Sequence, residues 1–182
     1  MMDDGKEIKK QTLIPRWLRR LAINLILFLG FVIASDYYRQ GSLLDKGTLA
    51  PRITVKSLQE GNQVEVPQPG KPTIVYFSAP WCSVCSLTGN SLTTAESWLK
   101  GLGAELDTYE VSLSYKSVDD VRNYAEEGGK KSIYLGTSAI GKDYLIGAFP
   151  TFYFINAEGK VVWTTVGYTS SFGLFWRFLV YS

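Results

Sequence analysis

Two cysteines, Cys82 and Cys85, are the residues of this chain best suited to chemistry. They are the only cysteines among 182 residues, and only Ser83 and Val84 separate them. Two thiols at this spacing can close a disulfide with each other, and can exchange it with a second disulfide. The spacing therefore predicts thiol–disulfide exchange, in which Cys82 is the sulfur that attacks or is attacked and Cys85 is the sulfur that resolves.

The segments on either side of the pair position the two sulfurs. Residues 73–77 form an apolar run rich in β-branched and aromatic residues, which predicts a buried strand. The sequence from 84 to about 100 predicts a helix, so Cys82 lies at a helix N-terminus. Unpaired backbone N–H groups and the helix dipole favour an anion there, and the thiolate is the reactive form of cysteine. Cys85 lies one turn later, within reach of Cys82.

Two other roles are open to a CxxC pair. Zinc usually takes four Cys, His or carboxylate ligands, and this chain has no His and no third Cys. A structural disulfide is the second alternative, but a bridge across so short a loop constrains the unfolded chain little. We therefore favour redox chemistry over both.

Composition restricts the remaining function classes. Hydrophobic residues make up 46% of the chain and aromatic residues 14%, which is enough to build a core. The formal net charge is only +2, so a nucleic-acid partner is not expected. The absence of His from the sequence excludes an imidazole base or metal ligand.

An apolar stretch follows a basic N-terminal tail. The tail, 1–16, precedes a segment from Trp17 to Tyr38 whose centre, 21–34, has no charged residue. As a helix, 17–38 would extend roughly 33 Å, enough to cross a bilayer core of about 30 Å. Because the basic flank stays in the cytoplasm, the rest of the chain is expected on the outer side.

A cleaved signal peptide is the competing interpretation of this stretch. Residues 32–34 resemble a small-residue cleavage site. The long tail before the stretch and the aromatic pair Tyr37–Tyr38 after it favour a membrane anchor instead.

The rest of the sequence predicts a linker and one α/β domain. Residues 39–52 are polar and predict the linker, and the domain spans 53–182. Residues 130–147 predict little beyond a short apolar element. The other predicted elements of the domain are an N-terminal hairpin over 53–66, the strand and helix around the cysteines, a strand over 107–113, a helix opened by a capping box at 117–120, a hairpin over 152–164, and a C-terminal helix with an apolar stripe.

This order of elements resembles the thioredoxin fold over about residues 60–182. A strand leads into WCSVC and a helix, and Phe149–Pro150–Thr151 later precedes a hairpin and a last helix. The segment GKPTIVYFSAPWC at 70–82 resembles the active-site entrance of TlpA-like oxidoreductases, and FINAEGK at 154–160 resembles their hairpin. The chain is identified as a member of the TlpA-like branch of the thioredoxin superfamily, most similar to its copper-sensitivity suppressors. The expected fold class is α/β, a central mixed sheet flanked by helices, preceded by one transmembrane helix.

The resemblance implies which residues act and with what partners. Pro150 matches the family's cis-proline beside the CxxC, so the implied catalytic residues are Cys82, Cys85 and Pro150. The residues expected to contact a partner protein flank these three; they are Trp81, Ser83, Val84 and Phe149. No cofactor and no metal are expected. The implied partners are protein disulfide substrates and a membrane thiol electron carrier of the DsbD type, with the domain in the periplasm of a bacterium and the anchor in its inner membrane. Reduction of the substrates is expected rather than oxidation.

The chain departs from the family pattern around the second cysteine. Many members have a proline five residues after it, where this chain has Asn90 preceded by Gly89. The buried acid of thioredoxins is replaced by Tyr76, and the Glu of many TlpA-like reductases by Thr88. The sequence therefore offers no obvious side-chain base for Cys85. Phe149 is also bulkier than the family's usual residue before the proline, and is expected to narrow substrate choice.

A Cu(I)-binding protein is the alternative function from another class. Soft thiolates suit Cu(I), and the CxxC supplies two of them. Further soft ligands are scarce, because both methionines are at positions 1 and 2 and the chain has no His.

Overall fold

A computed structural model of the protein describes residues 15–40, 43–130 and 132–181. The chain divides into two compact units, Met1–Tyr38 and Arg39–Ser182. A helix, α1, begins at Arg16 in the first unit and extends to Gln40, where the sequence predicts a transmembrane helix over 17–38. Within the described residues, no helix is both long enough and apolar enough to cross a membrane. The transmembrane prediction is therefore not confirmed.

The second unit is built on one mixed sheet. Its strands lie in the order β2–β1–β5–β4–β3–β6–β7. The strands are β1 Ile53–Ser57, β2 Gln63–Val66, β3 Thr73–Ser78, β4 Asp107–Ser112, β5 Tyr134–Leu135, β6 Thr151–Ile155 and β7 Val161–Val166. The helices that follow α1 are α2 Ser83–Gly101, α3 Val118–Glu127, α4 Ser138–Asp143 and α5 Ser171–Tyr181.

Strand β3 is central in this sheet and carries the chain into the cysteine pair. All six of its residues are buried, as its continuous apolar sequence predicts for a strand covered on both faces. It pairs in parallel with β4, from Thr73 opposite Asp107, and antiparallel with β6, from Thr73 opposite Ile155. Successive β3 side chains therefore point alternately into the two cores of the domain.

Helices α2, α3 and α5 share the core on one face of the sheet. Leu99 of α2, Val121 of α3 and Leu174 of α5 are fully buried there, together with Tyr76 of β3. The other face is covered by α4 and by the segment before β1, since Ile140 and Leu43 are buried in the second core. A mixed sheet with helices on both faces is the architecture that the sequence predicts.

Most local predictions within the domain agree with the structure. The β1–β2 hairpin forms, with Ile53 opposite Val66. Ser117 caps α3, where its side chain and that of Asp120 form the reciprocal bonds of a capping box. The hairpin β6–β7 also forms, with Asn156 and Gly159 in its turn.

Part of the segment predicted as a linker lies against the domain. Leu49 forms a β-bridge with Lys160, and the Ala50 N–H donates to the Gly159 carbonyl at 2.9 Å. Ala50 is buried. These contacts hold Leu49 and Ala50 against the β6–β7 turn.

Helix α4 is absent from the sequence prediction, which leaves 136–147 as a loop. It has only six residues, too few for a helical period to be recognised in the sequence. Tertiary contacts explain its position. Ile140 and Tyr144 are buried, and the Tyr144 hydroxyl donates to the Pro51 carbonyl at 2.8 Å.

The candidate active site

The two cysteines lie where β3 passes into α2, and they form a disulfide. Their Cα atoms are 5.2 Å apart. Cys82 is the N-cap residue of α2, and its sulfur accepts a hydrogen bond from the Cys85 N–H at 3.2 Å. Cys82 retains 8% of its surface and Cys85 none. The structure therefore places Cys82 at the helix N-terminus and makes it the more exposed of the two cysteines, as the sequence predicts.

Trp81 is the most exposed large residue beside the disulfide. Its side chain is 67% exposed, while its indole N–H donates to the Ser114 carbonyl at 3.0 Å. Ser114 adopts the left-handed backbone conformation, with φ of 56°. The Trp81 ring also meets the Phe149 ring edge to face, with centroids 5.7 Å apart. These two contacts hold the indole between the loop after β4 and the loop before β6.

Phe149 contacts the Trp81 ring, and this contact places Phe149 and the following residue, Pro150, at the site. The peptide bond between them is cis, which confirms the prediction for this bond. Pro150 is buried, and its carbonyl accepts a hydrogen bond from the Gly167 N–H at 2.8 Å. The second cis bond of the described chain, Val66–Pro67, is not among the sequence predictions.

The remaining predicted contact residues lie on the surface of the first turn of α2. Ser83 and Val84 are both exposed. Their side chains are therefore accessible from solvent, and their contact with a partner protein stays a prediction.

Two grooves flank Trp81 and Phe149. One has a volume of about 840 Å³, and its lining includes the apolar side chains of Leu145, Ile146 and Phe149. The other has a volume of about 650 Å³, and its lining includes Trp81, Asp120 and Asn123. The surface around the disulfide thus offers an apolar groove on one side of the aromatic pair and a more polar groove on the other.

Position 88 holds no acid or base, and Thr88 has a structural role. It is buried, and its hydroxyl donates to the Val84 carbonyl at 2.8 Å, within α2. Helix α2 continues through Gly89 and Asn90 without interruption. The glycine at position 89 makes room for another group.

That group is the ammonium of Lys130, which belongs to a buried ion pair that the sequence analysis missed. The Lys130 Nζ lies 2.6 and 2.8 Å from the two Glu110 carboxylate oxygens and donates to the Tyr124 hydroxyl at 2.9 Å. The side chains of Lys130 and Glu110 are only 8% and 10% exposed. A Cβ atom at position 89 would collide with the Lys130 Nζ.

Tyr76 connects this buried pair with the second cysteine. Its hydroxyl donates to the Cys85 carbonyl at 2.7 Å, and its ring lies with the centroid 5.8 Å from the Lys130 Nζ. Burial, together with the neighbouring Tyr124 and Glu110, raises the pKa of Tyr76 far above its ordinary value. Tyr76 therefore stays protonated and remains a hydrogen-bond donor. In β4, Glu110 lies between the apolar residues Tyr109 and Val111. This alternation of apolar and polar residues was the sequence signal from which Glu110 could have been found.

The geometry of the two sulfurs supports thiol–disulfide exchange. A thiolate at Cys82 would lie at the N-terminus of α2, where helix N–H groups stabilise negative charge. Cys85 lies behind it and is shielded from solvent. Among the residues that the structure describes, no group of three or more His, Cys, Asp or Glu side chains is arranged to hold a metal ion.

Comparison with known proteins identifies the family. A family model described as a thioredoxin-like domain matches residues 60–181. The chain belongs to the thioredoxin-like family. This thioredoxin-like chain is 29% identical over 161 residues to the thiol-disulfide oxidoreductase ResA of Bacillus cereus, covering 84% of the chain and 88% of that relative.

Two solved structures share the thioredoxin-like fold with this chain. The thioredoxin domain of a thiol-disulfide oxidoreductase from Bacteroides vulgatus superposes with a TM-score of 0.63 at 24% identity, covering 75% of this chain and 97% of its own. A thiol:disulfide interchange protein from Chlorobium tepidum gives a TM-score of 0.64 at 20% identity, covering 76% and 98%. The predicted fold is therefore confirmed for the thioredoxin-like domain. The similarity to copper-sensitivity suppressors stays a prediction.

Proposed function

We propose that this protein is a protein thiol–disulfide oxidoreductase that exchanges its Cys82–Cys85 pair with disulfides of partner proteins. The observation that carries the proposal is the asymmetry of the pair. Cys82 caps α2 and keeps 8% of its surface exposed, whereas Cys85 is fully buried. The similarity to a relative named thiol-disulfide oxidoreductase supports the same activity.

The exchange proceeds in two displacements. The Cys82 thiolate attacks one sulfur of the partner disulfide, so that a mixed disulfide forms and the other partner sulfur leaves as a thiolate. The Cys85 thiolate then attacks the Cys82 sulfur, which re-forms the internal disulfide and releases the second partner sulfur. Two electrons pass to the partner, whose two thiolates take up two protons.

A trapping experiment tests this order. Cys85→Ser should accumulate a mixed disulfide through Cys82, because the resolving thiol is missing. Cys82→Ser is the matched control, since it keeps one thiol but buries it, and it should trap far less partner. Non-reducing electrophoresis and mass spectrometry of the trapped species measure both. Equal trapping by the two variants, or tight Cu(I) binding with no trapping by either, would refute the exchange mechanism.

The direction of exchange is the second part of the proposal. We infer that the protein reduces its partners and receives electrons from a membrane thiol carrier of the DsbD type, because its sequence resembles TlpA-like reductases. Equilibration with glutathione measures the reduction potential of the Cys82–Cys85 pair. A value near that of thioredoxin, about −270 mV, supports reduction, and a value near that of DsbA, about −120 mV, contradicts it.

The third part of the proposal is a tether in the bacterial inner membrane, with the domain in the periplasm. Basic residues precede 21–34, which have no charge, and Tyr37–Tyr38 follow them. The large apolar side chains from Leu25 to Leu29 in α1 are all exposed in this chain. The full chain should stay with membranes through alkaline extraction and be digested by protease only from the periplasmic side. A soluble mature chain that begins near Ser35 would indicate a cleaved signal peptide instead.

A further inference from the structure

The outer side of helix α5 is apolar and open to solvent. Leu174 and Phe178, on the inner side, are buried in the core. The exposed apolar residues of α5 recur at the spacing of a single helix face opposite these two; they are Phe172, Trp176, Leu179 and Val180. The core therefore accounts for only one side of this apolar helix.

Aromatic rings flank the exposed side of α5. On one flank, Trp98 of α2 meets the Phe175 ring edge to face, with centroids 5.9 Å apart. Leu102 follows Trp98 by four residues, and both side chains are exposed. On the other flank, Arg177 lies over the Trp163 ring, 4.2 Å from its centroid. We call the exposed apolar surface the α5 face; it consists of Phe172, Trp176, Leu179 and Val180 of α5 with Trp98 and Leu102.

We propose that the α5 face is a membrane-contact surface, through which the domain rests on the lipid of the bilayer that anchors it. The inference rests on the proposed tether, and it assigns the domain a surface of its own for lipid. Contact with lipid removes the exposed apolar side chains from water, which is favourable without a close match of shape.

The chemistry of the α5 face favours lipid over a protein partner. Tryptophan is enriched where membrane meets water, because its ring is apolar and its indole N–H is polar, and this face has two tryptophans. Helix α5 contains no acidic residue, and its one charged residue, Arg177, suits anionic headgroups. Glu96, two residues before Trp98, pairs with Lys100 at 2.7 Å and so adds no net negative charge.

The length of the proposed tether favours the same surface. Leu43 is buried in the domain, and only residues 39–42 separate it from the proposed membrane segment, 17–38. Four residues extend at most about 14 Å. If 17–38 spans the bilayer, a domain on so short a tether cannot leave the lipid surface, whereas a soluble partner must first diffuse to it.

A second copy of the chain is the main alternative occupant of the α5 face. Phe172 and Trp176 are 66% and 58% exposed, the largest fractions on α5. With the other four side chains they offer on the order of 600 Å² of apolar surface. A stable protein interface buries about 800 Å² on each partner, with complementary shapes. A lipid surface requires neither this area nor this match, so the observations favour lipid.

The test cuts the domain from its tether after the full chain has been placed in vesicles. A protease site is inserted after Gly41, and the chain is reconstituted into vesicles of phosphatidylethanolamine and phosphatidylglycerol. The protease releases domains from the outer side, and sedimentation then measures how much domain stays with the vesicles. The parent domain should stay. Phe172→Ser/Trp176→Ser should partition about tenfold less strongly or lower still, because two large apolar side chains are gone.

Leu145→Ser is the matched control. Leu145 is as exposed as Leu179, at 47% against 46%, but it follows Tyr144, which is buried in the core on the opposite face of the sheet. This variant should stay with the vesicles like the parent. Circular dichroism of each variant shows whether the domain is folded. If the double variant does not fold, Leu179→Ser replaces it.

Fluorescence quenching distinguishes lipid from a second copy. Trp176→Phe keeps an apolar ring but removes one indole, so the difference in fluorescence between the parent and this variant reports Trp176. Vesicles of the same headgroups with brominated acyl chains should quench that signal. Burial of Trp176 against another protein chain would protect it.

The outcomes separate this inference from the proposed function. Retention of the parent domain, quenching of Trp176 and release of the double variant support the α5 face as the membrane contact. Release of the parent, equal retention of both, or retention without quenching overturns it, and the last result would indicate contact between copies. Sedimentation of the uncut chain tests the anchor, and partner trapping tests the exchange. If the uncut chain proves soluble, it is mixed with the same vesicles and the same criteria apply.

Discussion

In the substitution Gly89→Ala two physical effects compete, and the structure decides whether the free energy of unfolding rises or falls. Gly89 lies inside α2, where alanine is the better helix former by about 1 kcal/mol. By this effect alone the variant would be more stable than the parent. The added Cβ, however, would collide with the Lys130 ammonium.

The ammonium cannot move away cheaply. It donates to both Glu110 oxygens and to the Tyr124 hydroxyl, at 2.6 to 2.9 Å, and is held in a side chain that is only 8% exposed. Overpacking costs about 1–3 kcal/mol, and separation of a buried ion pair costs about 3–5 kcal/mol. After subtraction of the helix-forming gain of about 1 kcal/mol, overpacking alone would leave a net loss of about 0–2 kcal/mol, and separation of the ion pair a net loss of about 2–4 kcal/mol. We therefore expect the free energy of unfolding to fall.

Chemical denaturation of the oxidised full chain measures this loss as a lower midpoint at unchanged slope. Gly101→Ala is the matched control, because Gly101 is the last residue of α2 and a Cβ there would have nothing within 4 Å. The control should keep or slightly raise the midpoint. The double variant Lys130→Met/Gly89→Ala should lose less free energy of unfolding than the sum of the losses of the two single variants. The reason is that methionine at position 130 has no ammonium for the added Cβ to displace.

Equal stabilisation by Gly89→Ala and Gly101→Ala would refute the reasoning. It would mean that Lys130 yields without cost, and therefore that the ion pair does not hold a fixed position under α2.

Three further predictions concern other parts of the domain. Burial raises the pKa of Tyr153 to about 12, so this residue favours the folded state below the ordinary tyrosine value of 10.0 and loses that contribution as the pH rises toward 12. Denaturation midpoints should therefore fall steeply over that range, and less so in Tyr153→Phe. The Ser117 N–H holds the pKa of Asp120 below its ordinary value, so Asp120→Asn should be destabilised at neutral pH, with a difference from the parent that vanishes when acid has protonated Asp120. Trp81→Phe removes the indole hydrogen bond to Ser114 at an exposed site, so stability should change by less than about 1 kcal/mol while exchange with a protein partner slows more than exchange with a small disulfide. Parallel rate measurements with the two substrates check the last prediction, which equal slowing would contradict.

The domain's local structure was largely predictable because its signals lie within a few residues of each other. The apolar run before Cys82 predicts β3, the capping box at Ser117 predicts α3, and the turn at Asn156 predicts the β6–β7 hairpin. Helix α4 was not predictable, since its six residues are held by contacts such as that from Tyr144 to Pro51, 93 positions earlier in the chain.

At the site, the sequence by itself determined the two sulfurs and their order. A CxxC after a buried strand and before a helix places the first cysteine at the helix N-terminus, whatever else the chain does. The sequence also indicates correctly that no acid occupies positions 76 or 88.

Only the tertiary structure decided what lies beneath Cys85. Glu110 comes from β4 and Lys130 from the segment after α3, so 20 residues separate the two groups along the chain. Their contact depends on the parallel register of β3 and β4, which sets Tyr76 opposite Glu110, and on the space left by Gly89 under α2. Sequence patterns report the periodicity within one element, whereas a buried ion pair between elements depends on how those elements pack, and for that reason it became visible only in the folded domain.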